Sequence, residues 1–201
     1  MGTELEARLE ELRQSILGCT KCPLYESRTR AVPGEGNPQA EVMFIGQGPG
    51  ANEDRYGRPF VGRAGDLLNE LFRDVVNERS DVWISNVTRC LPPKGRLPFA
   101  AEIKTCAPYL VEEIELIGPK VVCPLGNMAL HLFVEKSKVI HEVHGKPVPQ
   151  DKFFLFPMYH PAAALRRPDL LPQVKADFSA LKAFLDSKPI LESQPGQKSL
   201  F

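Results

Sequence analysis

Residues 41–68, EVMFIGQGPGANEDRYGRPFVGRAGDLL, run from a short apolar segment through a glycine-rich loop into a segment with helical periodicity. The apolar run 41–46 is bounded by turn residues, which predicts a buried strand. Residues 64–76 place apolar side chains three and four positions apart, which predicts a helix. A strand, a glycine loop and a helix in this order are typical of one unit of an α/β fold.

The rest of the chain continues the alternation of strands and helices. β-branched and aromatic runs predict three more strands, at residues 82–87, 120–126 and 152–158. Helical periodicity predicts four more helices, at residues 3–17, 100–117, 127–134 and 172–185. This order predicts an α/β fold whose central four-stranded, mostly parallel sheet is covered by helices on both faces. We expect one domain over residues 1–187 and a flexible tail over 188–201.

The composition narrows the class of protein. The chain has 201 residues with 43% hydrophobic side chains, and its 25 basic and 25 acidic residues give no net charge, which argues against a generic polyanion binder. No apolar stretch approaches the roughly 20 residues of a membrane span, and the charged N-terminus lacks the apolar core of a signal peptide. We therefore expect a soluble, cytoplasmic monomer with no membrane partner.

The glycine loop GQGPG, residues 46–50, matches neither the phosphate-loop pattern nor the dinucleotide-binding pattern. In an α/β sheet, such a loop meets the loops that follow the other parallel strands in one crevice. Because Gly46 and Gly48 lack a Cβ atom, backbone N–H groups around Gln47 are able to approach a ligand and stabilise a developing anion. The alternative is a tight turn with no binding role.

Three side chains expected in the same crevice suit a flat polar ligand. Asn86 ends the second strand, and its amide complements the N–H and C=O edge of a pyrimidine. Phe60 lies in a polar loop, where an aromatic ring is able to stack on a planar ligand. His160, followed by proline at a strand end, is suited to donate a hydrogen bond as a neutral imidazole. Structural roles in turns and packing are the alternatives for Asn86 and His160.

Five cysteines occur without an export signal, which argues against a disulfide framework. Cys19 and Cys22 form a C-x-x-C pair, Cys90 and Cys106 stand alone, and Cys123 lies in an apolar run that predicts a core position. The first four suffice for one four-thiolate metal site, and their spacing leaves zinc and an iron–sulfur cluster both open.

In this order, the motifs resemble those of the family 4 uracil-DNA glycosylases, the iron–sulfur class of bacteria and archaea. The resemblance covers residues from about 15 to 186 and rests on CTKC, GEGNP, the stretch 46–68, SNVTRCLPP, the cysteine at 106, PLGNMA and HPAAALRR. It implies a three-layer α/β/α sandwich and a [4Fe–4S] cluster held by Cys19, Cys22, Cys90 and Cys106. The activity it implies is DNA repair by hydrolysis of the N-glycosidic bond of deoxyuridine, which leaves an abasic site.

The resemblance also implies how the base is recognised. Chemistry on a base in a duplex requires that the base be flipped out. Phe60 would stack on the flipped uracil, Asn86 would read its N3–H and O4, and Gly46 would belong to the same pocket. Glu53 would crowd the C5 side and so disfavour thymine.

Catalysis and DNA contact follow from the same resemblance. The amides around Gln47 and Gly48, with a hydrogen bond from His160, would stabilise the charge that grows on O2 of the leaving uracil. Basic residues recur in the loops of the crevice, as solvated charges or as a positive face. Four of them would contact DNA, namely Arg58, Arg63, Arg166 and Arg167.

Gln47 is the position at which the chain departs from the family, which usually has glutamate there. Glutamine has no basic oxygen at neutral pH, so it cannot act as a general base, although its amide is able to position a water. The main alternative is therefore a catalytically weakened uracil-DNA-binding module. A redox protein that uses the cluster for electron transfer and a glycosylase with widened base specificity are further alternatives.

The chain ends in QKSLF, residues 197–201, which resembles the short peptides through which repair proteins bind the DNA sliding clamp. In this interpretation Gln197, Leu200 and Phe201 would contact the clamp. The alternative is an incidental tail.

Overall fold

The computed structural model describes residues 2–76 and 78–191. The α-helices of this part of the chain are α1 Gly2–Leu17, α2 Ala51–Tyr56, α3 Arg63–Phe72, α4 Ala100–Ile117, α5 Asn127–Leu130, α6 Ile140–Val143, α7 Pro161–Arg166 and α8 Leu171–Asp186. The strands are β1 Glu35–Gly36, β2 Val42–Gly46, β3 Trp83–Asn86, β4 Val121–Pro124, β5 Val148–Pro149 and β6 Phe154–Leu155. The α/β class is therefore confirmed.

The strands form one sheet in the order β1-β3-β2-β4-β6-β5. The four predicted strands, β2, β3, β4 and β6, are parallel and central, whereas β1 and β5 pair antiparallel at the two edges. The prediction of a four-stranded sheet is wrong, because the sheet has these two additional edge strands. Each has only two residues and contains Gly36 or Pro149, so neither carries the alternating pattern that reveals a strand in a sequence.

Helices cover both faces of the sheet because side chains alternate along its strands. On β2, Val42 and Phe44 belong to the core beneath α3, α7 and α8, whereas Met43 and Ile45 belong to the core beneath α4 and α5. α1 lies outside this second layer and packs on α4. The result is the α/β/α sandwich that the family resemblance implies, with α1 added on one side.

The predicted helices are present, with ends that shift by a few residues. The helix expected at 64–76 runs over Arg63–Phe72, and the one expected at 127–134 is shortened to Asn127–Leu130. α2, α6 and α7 were not predicted, because segments of four to six residues are too short to show helical periodicity. Within the described ranges, no helix combines the length and apolar character that crossing a membrane requires.

The strand order opens a crevice above β2. From β2 the chain passes to β3 on one side and afterwards to β4 on the other, so the connections diverge at the carboxyl end of β2. In open α/β sheets, ligands bind at such a point of divergence. Gly46, Asn86 and Pro124 end the three strands there. Residues 192–201, with the predicted clamp contacts, lie outside the described residues.

Candidate active site

A cavity of about 690 Å³ lies at this edge of the sheet. The loops after β2, β3 and β4 and the segment that leads into α7 all contribute to its wall, so the predicted meeting of loops is found. Eight of the predicted site residues line it, namely Gln47, Gly48, Glu53, Phe60, Arg63, Asn86, His160 and Arg166.

Gly46 allows two of these side chains to meet. A Cβ atom added at Gly46 would lie 2.5 Å from Asn86 Oδ1 and 2.7 Å from two carbons of the Phe60 ring. Real Cβ atoms do not approach other heavy atoms so closely, so any larger residue would displace both neighbours. The strand therefore ends in glycine because Asn86 and Phe60 occupy the space that a side chain would need.

Phe60 is held in a rare backbone conformation. Its φ is 51°, in the left-handed region that residues other than glycine seldom adopt. The Arg79 guanidinium donates hydrogen bonds to the carbonyl oxygens of Pro59, at 2.5 Å, and of Phe60, at 3.3 Å. A Cβ atom at Gly65 would overlap the Phe60 carbonyl, so the first turn of α3 packs directly on this residue. Phe60 therefore presents a rigid aromatic wall to the cavity.

Asn86 is the last residue of β3 and is only 2% exposed. Among the described residues its side-chain amide has no hydrogen-bond partner, and the residue lines the cavity. The amide is therefore placed to pair with a ligand that offers a complementary acceptor and donor.

His160 is a neutral hydrogen-bond donor. Its Nδ1 accepts a hydrogen bond from the backbone N–H of Ala162 at 3.0 Å, so in the neutral ring the proton lies on Nε2. Burial, with a smaller effect from the charge of Arg166, lowers the pKa of His160 to about 4. The imidazole lies roughly parallel to the Phe60 ring, with centroids 5.5 Å apart. Nε2–H is therefore free to donate, and donation by His160 to a ligand stays a prediction.

The glycine loop offers free backbone donors. Its carbonyls accept hydrogen bonds from the next strand's loop, Thr88 N–H donating to Gln47 O at 3.3 Å, whereas no acceptor is found in the described structure for the N–H groups of Gln47 and Gly48. Gly48 approaches Thr88 so closely that an added Cβ atom would lie 2.5 Å from Thr88 Oγ1. Together with the Nε2–H of His160, these amides can stabilise an anion in the cavity.

Glu53 stands in the wall of the cavity, in the first turn of α2. A Cβ atom added at Gly50 would lie 2.6 Å from one of its carboxylate oxygens, and one added at Gly62 would lie 3.5 Å from the other. The carboxylate is therefore positioned between the two glycines that border the loop and α3.

The predicted DNA-contacting arginines divide into two groups. Arg63 and Arg166 line the cavity, at the start of α3 and the end of α7. Arg58 instead pairs with Glu35, with Nε to Oε2 at 2.9 Å, and Arg167 pairs with Asp169 at 2.8 Å. The structure brings the first two to the site and gives the other two acidic partners.

Comparison with known proteins identifies the family to which the chain belongs. The model of the uracil DNA glycosylase superfamily matches residues 33–185. A type-4 uracil-DNA glycosylase of Sulfurisphaera tokodaii is 42% identical, over 87% of this chain and 83% of that protein. A type-4 uracil-DNA glycosylase of Thermotoga maritima is 41% identical, over 90% of this chain and 96% of that protein. The chain belongs to the type-4 uracil-DNA glycosylases. Among solved structures, SMUG2 of Pedobacter heparinus aligns with a TM-score of 0.47 at 15% identity, over 74% of this chain and 77% of that one.

In this glycosylase fold, the four predicted metal ligands lie in one region of the structure. Cys19, Cys22, Cys90 and Cys106 are free thiols that line one small cavity between the end of α1, the loop after β3 and α4. Burial raises the pKa of Cys106 to about 11 and raises that of Cys90, to whose sulfur Arg28 donates a hydrogen bond at 3.1 Å.

Four thiols in one cavity, with a guanidinium beside them, fit a group that is bound by thiolates. Within residues 2–76 and 78–191, no three His, Cys, Asp or Glu side chains meet the geometry of a site for a metal ion. Cys123 is buried elsewhere in the core, as predicted.

A buried ion pair beside the site was missed by the sequence analysis. Arg89 donates to Glu113 at 2.9 Å and to Ser85, and both charged side chains are 2% exposed. Ser85 also donates to Glu113 at 2.5 Å. The sequence could have revealed Glu113, because it follows Leu110 by three residues and so lies on the apolar stripe of α4. A charged residue on such a stripe indicates a buried partner. The network ties β3, which carries Asn86, to α4.

Proposed function

We propose that this chain is a DNA-repair glycosylase that hydrolyses the N-glycosidic bond of deoxyuridine in DNA, releasing uracil and leaving an abasic site. Its membership of the type-4 uracil-DNA glycosylases supports this proposal. The observation that carries it is the meeting of three groups in one cavity: the unpaired amide of Asn86, the rigid ring of Phe60 and the neutral imidazole of His160.

Recognition of the base follows from Asn86 and Phe60. The base must leave the duplex to reach a cavity at the edge of a sheet. Its flat face stacks on the Phe60 ring, while the Asn86 amide accepts from N3–H and donates to O4. Glu53 stands on the wall that faces C5, so the methyl group of thymine is excluded there.

Departure of the base is assisted by charge stabilisation. When the N-glycosidic bond breaks, uracil leaves as an anion with charge on O2. The free N–H groups of Gln47 and Gly48 and the Nε2–H of His160 donate to this oxygen. A neutral imidazole suits this role, because it donates a hydrogen bond without needing to be charged first.

Attack on the sugar requires a water at C1′. Gln47 lines the cavity and has no basic oxygen, so it orients the water rather than deprotonating it. The proton that the water loses on bonding to C1′ passes to solvent or to the departing uracil anion. The sugar has oxocarbenium character by then, and such an electrophile needs little activation of water. Stabilisation of the leaving base therefore supplies most of the rate enhancement.

The four cysteines hold a [4Fe–4S] cluster in this proposal, and the family resemblance identifies the metal. Bound there, the cluster supplies a structural crosslink and no step of the hydrolysis. Cys19 and Cys22 follow α1, Cys90 follows the strand of Asn86, and Cys106 lies on α4. The cysteines thus fix the loop after β3, on which the cavity depends.

Contacts with the DNA backbone are the next part of the proposal. Arg63 and Arg166 bind phosphates near the cavity. Arg58 and Arg167 become available to DNA if they exchange their acidic partners for phosphates.

The protein acts as a cytoplasmic monomer of a bacterium or archaeon, and its QKSLF tail binds the sliding clamp. Deletion of residues 197–201 is expected to abolish clamp binding and to spare activity on short duplexes. Unchanged clamp affinity would contradict the tail proposal.

The test is multiple-turnover release of uracil from a uracil-containing duplex oligonucleotide. His160→Ala is expected to lower kcat by about 10²–10³, the usual cost of losing one donor to a developing anion. His141→Ala, an exposed histidine on α6, is the matched control and should have wild-type kcat. A wild-type chain that releases no uracil would overturn the proposal.

The same assay decides between the main alternatives. A weakened binding module would bind the duplex without cleaving it; this interpretation is not supported by the relatives, which are named as glycosylases at 38–42% identity. A carboxylate base contributes about 10²–10⁴ to a rate where it is needed. If leaving-group stabilisation dominates, Gln47→Glu will accelerate the reaction by far less than that.

A further inference from the structure

The loop between β3 and α4 forms an exposed ridge at the mouth of the cavity. Arg96 and Pro98 line the cavity, whereas Leu97 lines an apolar groove of about 1250 Å³ along α4. The ridge, defined here as residues 96–99, therefore separates two depressions. Its two apolar side chains are unusually open to solvent, Leu97 at 63% and Phe99 at 62% exposure.

The ridge is rigid although it is exposed. Glu102 accepts two hydrogen bonds from the Arg96 guanidinium, at 2.6 and 2.9 Å, and one from the Phe99 backbone N–H at 2.7 Å. The guanidinium lies over one face of the Phe99 ring, 3.8 Å from its centroid. Pro98 restricts the backbone between the two apolar residues. Leu97 and Phe99 are therefore held out to solvent by a preorganised scaffold.

The charges around the ridge match a polyanion. Lys94, at the preceding turn, and Lys104, on the groove side of α4, are both exposed, and neither has an acidic partner in the described part of the chain. Exposed apolar side chains that lie together and are rimmed by polar residues are a feature of interaction surfaces. Apolar side chains beside basic ones are the means by which proteins wedge or stack against unstacked bases.

We propose that Leu97 and Phe99 form a second base-contacting surface, which packs against the base pairs that flank the flipped nucleotide in duplex DNA. This inference rests on the proposed function, because it takes its ligand from the activity of the adjacent cavity. Flipping removes one base from the stack, so each flanking base pair loses a stacking contact on one side. The free face of Phe99 and the Leu97 side chain replace part of that lost stacking.

The proposal predicts an effect that depends on the strandedness of the substrate. In single-stranded DNA there is no duplex stack to open, so loss of the ridge side chains matters less. We expect the double substitution Leu97→Ala and Phe99→Ala to lower the ratio of kcat/KM on duplex to kcat/KM on single-stranded uracil DNA about tenfold. Phe99→Trp in the Leu97→Ala background should restore part of the ratio.

Ile190→Ala is the matched control, since Ile190 is 85% exposed and follows α8. Equal thermal midpoints of all variants would show that the fold is intact. An unchanged ratio, or an equal loss on both substrates, would overturn the proposal. If the wild-type chain released no uracil, the proposed function would fail separately. In that case, fluorescence anisotropy would measure the affinity of each protein for a duplex and for a single strand, both containing an abasic analogue. The ratio of these two affinities would then test the ridge.

Discussion

At the scale of single residues, Gly46 controls the geometry of the proposed base pocket. Its missing side chain allows the Asn86 amide and the Phe60 ring to occupy neighbouring positions. A methyl group there must push one or both of them away. Recognition by a hydrogen-bonding amide and a stacking ring tolerates little displacement, because both interactions depend on position and angle.

We therefore predict that Gly46→Ala lowers kcat/KM for uracil excision by about a hundredfold, the typical cost of a misplacement near 1 Å. Gly18→Ala is the comparison, because its added Cβ atom would meet nothing closer than Gln14 O at 3.6 Å. Excision kinetics of both variants check the prediction. Wild-type kinetics for Gly46→Ala would show that the pocket adapts.

His160 makes a second prediction, on the pH dependence of stability. The pKa of His160 is lowered to about 4 in the folded protein, from 6.5. The unfolded chain therefore binds a proton at this residue between pH 6.5 and 4 when the folded chain does not, and stability falls as the pH falls through this window. Urea unfolding should show a shallower loss for His160→Gln than for the wild type. Parallel pH profiles would contradict the low pKa.

At the scale of elements, the buried pair of Arg89 and Glu113 joins β3 to α4. Removing one member of a buried pair leaves the other charge without compensation. Glu113→Ala is expected to lower the free energy of unfolding by about 3–5 kcal/mol. The exposed pair of Lys120 and Glu41 is the contrast, and Lys120→Ala should change that free energy by less than about 1 kcal/mol. Denaturant titrations of both variants check the difference.

The elements also show where sequence reasoning is strong. The four parallel strands were predictable because buried strands between helices are continuous apolar runs, such as 42–46. The edge strands β1 and β5 were not, since two residues form a strand only when a neighbouring strand offers its free edge. α7 was missed for a related reason: it has six residues, and its start is set by His160 accepting from Ala162 N–H.

At the scale of the whole molecule, the site itself was more predictable than its surroundings. Asn86 ends β3 and His160 follows β6, and the topology of an α/β sheet brings strand ends together, so their meeting follows from the order of elements. Which arginines face the cavity does not follow, because it depends on partners from distant segments. Glu35, 23 residues before Arg58, accepts two hydrogen bonds from it.

The cysteine cavity gives a prediction about the whole fold. A group bound by Cys19, Cys22, Cys90 and Cys106 crosslinks α1, the loop after β3 and α4. Cys90→Ser is expected to lower the iron content, the broad visible absorbance of the purified protein and the thermal midpoint together. Cys123→Ala is the control and should retain iron and colour, since Cys123 lies in a different core. A colourless wild-type protein that contains zinc would refute the cluster.

The fixed backbone of Phe60 has a consequence for turnover. Arg79 and α3 hold this ring in place without any help from DNA, so the pocket for the base is complete before substrate arrives. A preformed pocket needs no ordering by the rest of the DNA, so the free base is also able to bind there. Uracil should therefore act as a competitive product inhibitor, and thymine should inhibit less if Glu53 faces C5 of the base as we propose. Inhibition kinetics with the two free bases would measure how much of the affinity for damaged DNA resides in the base alone.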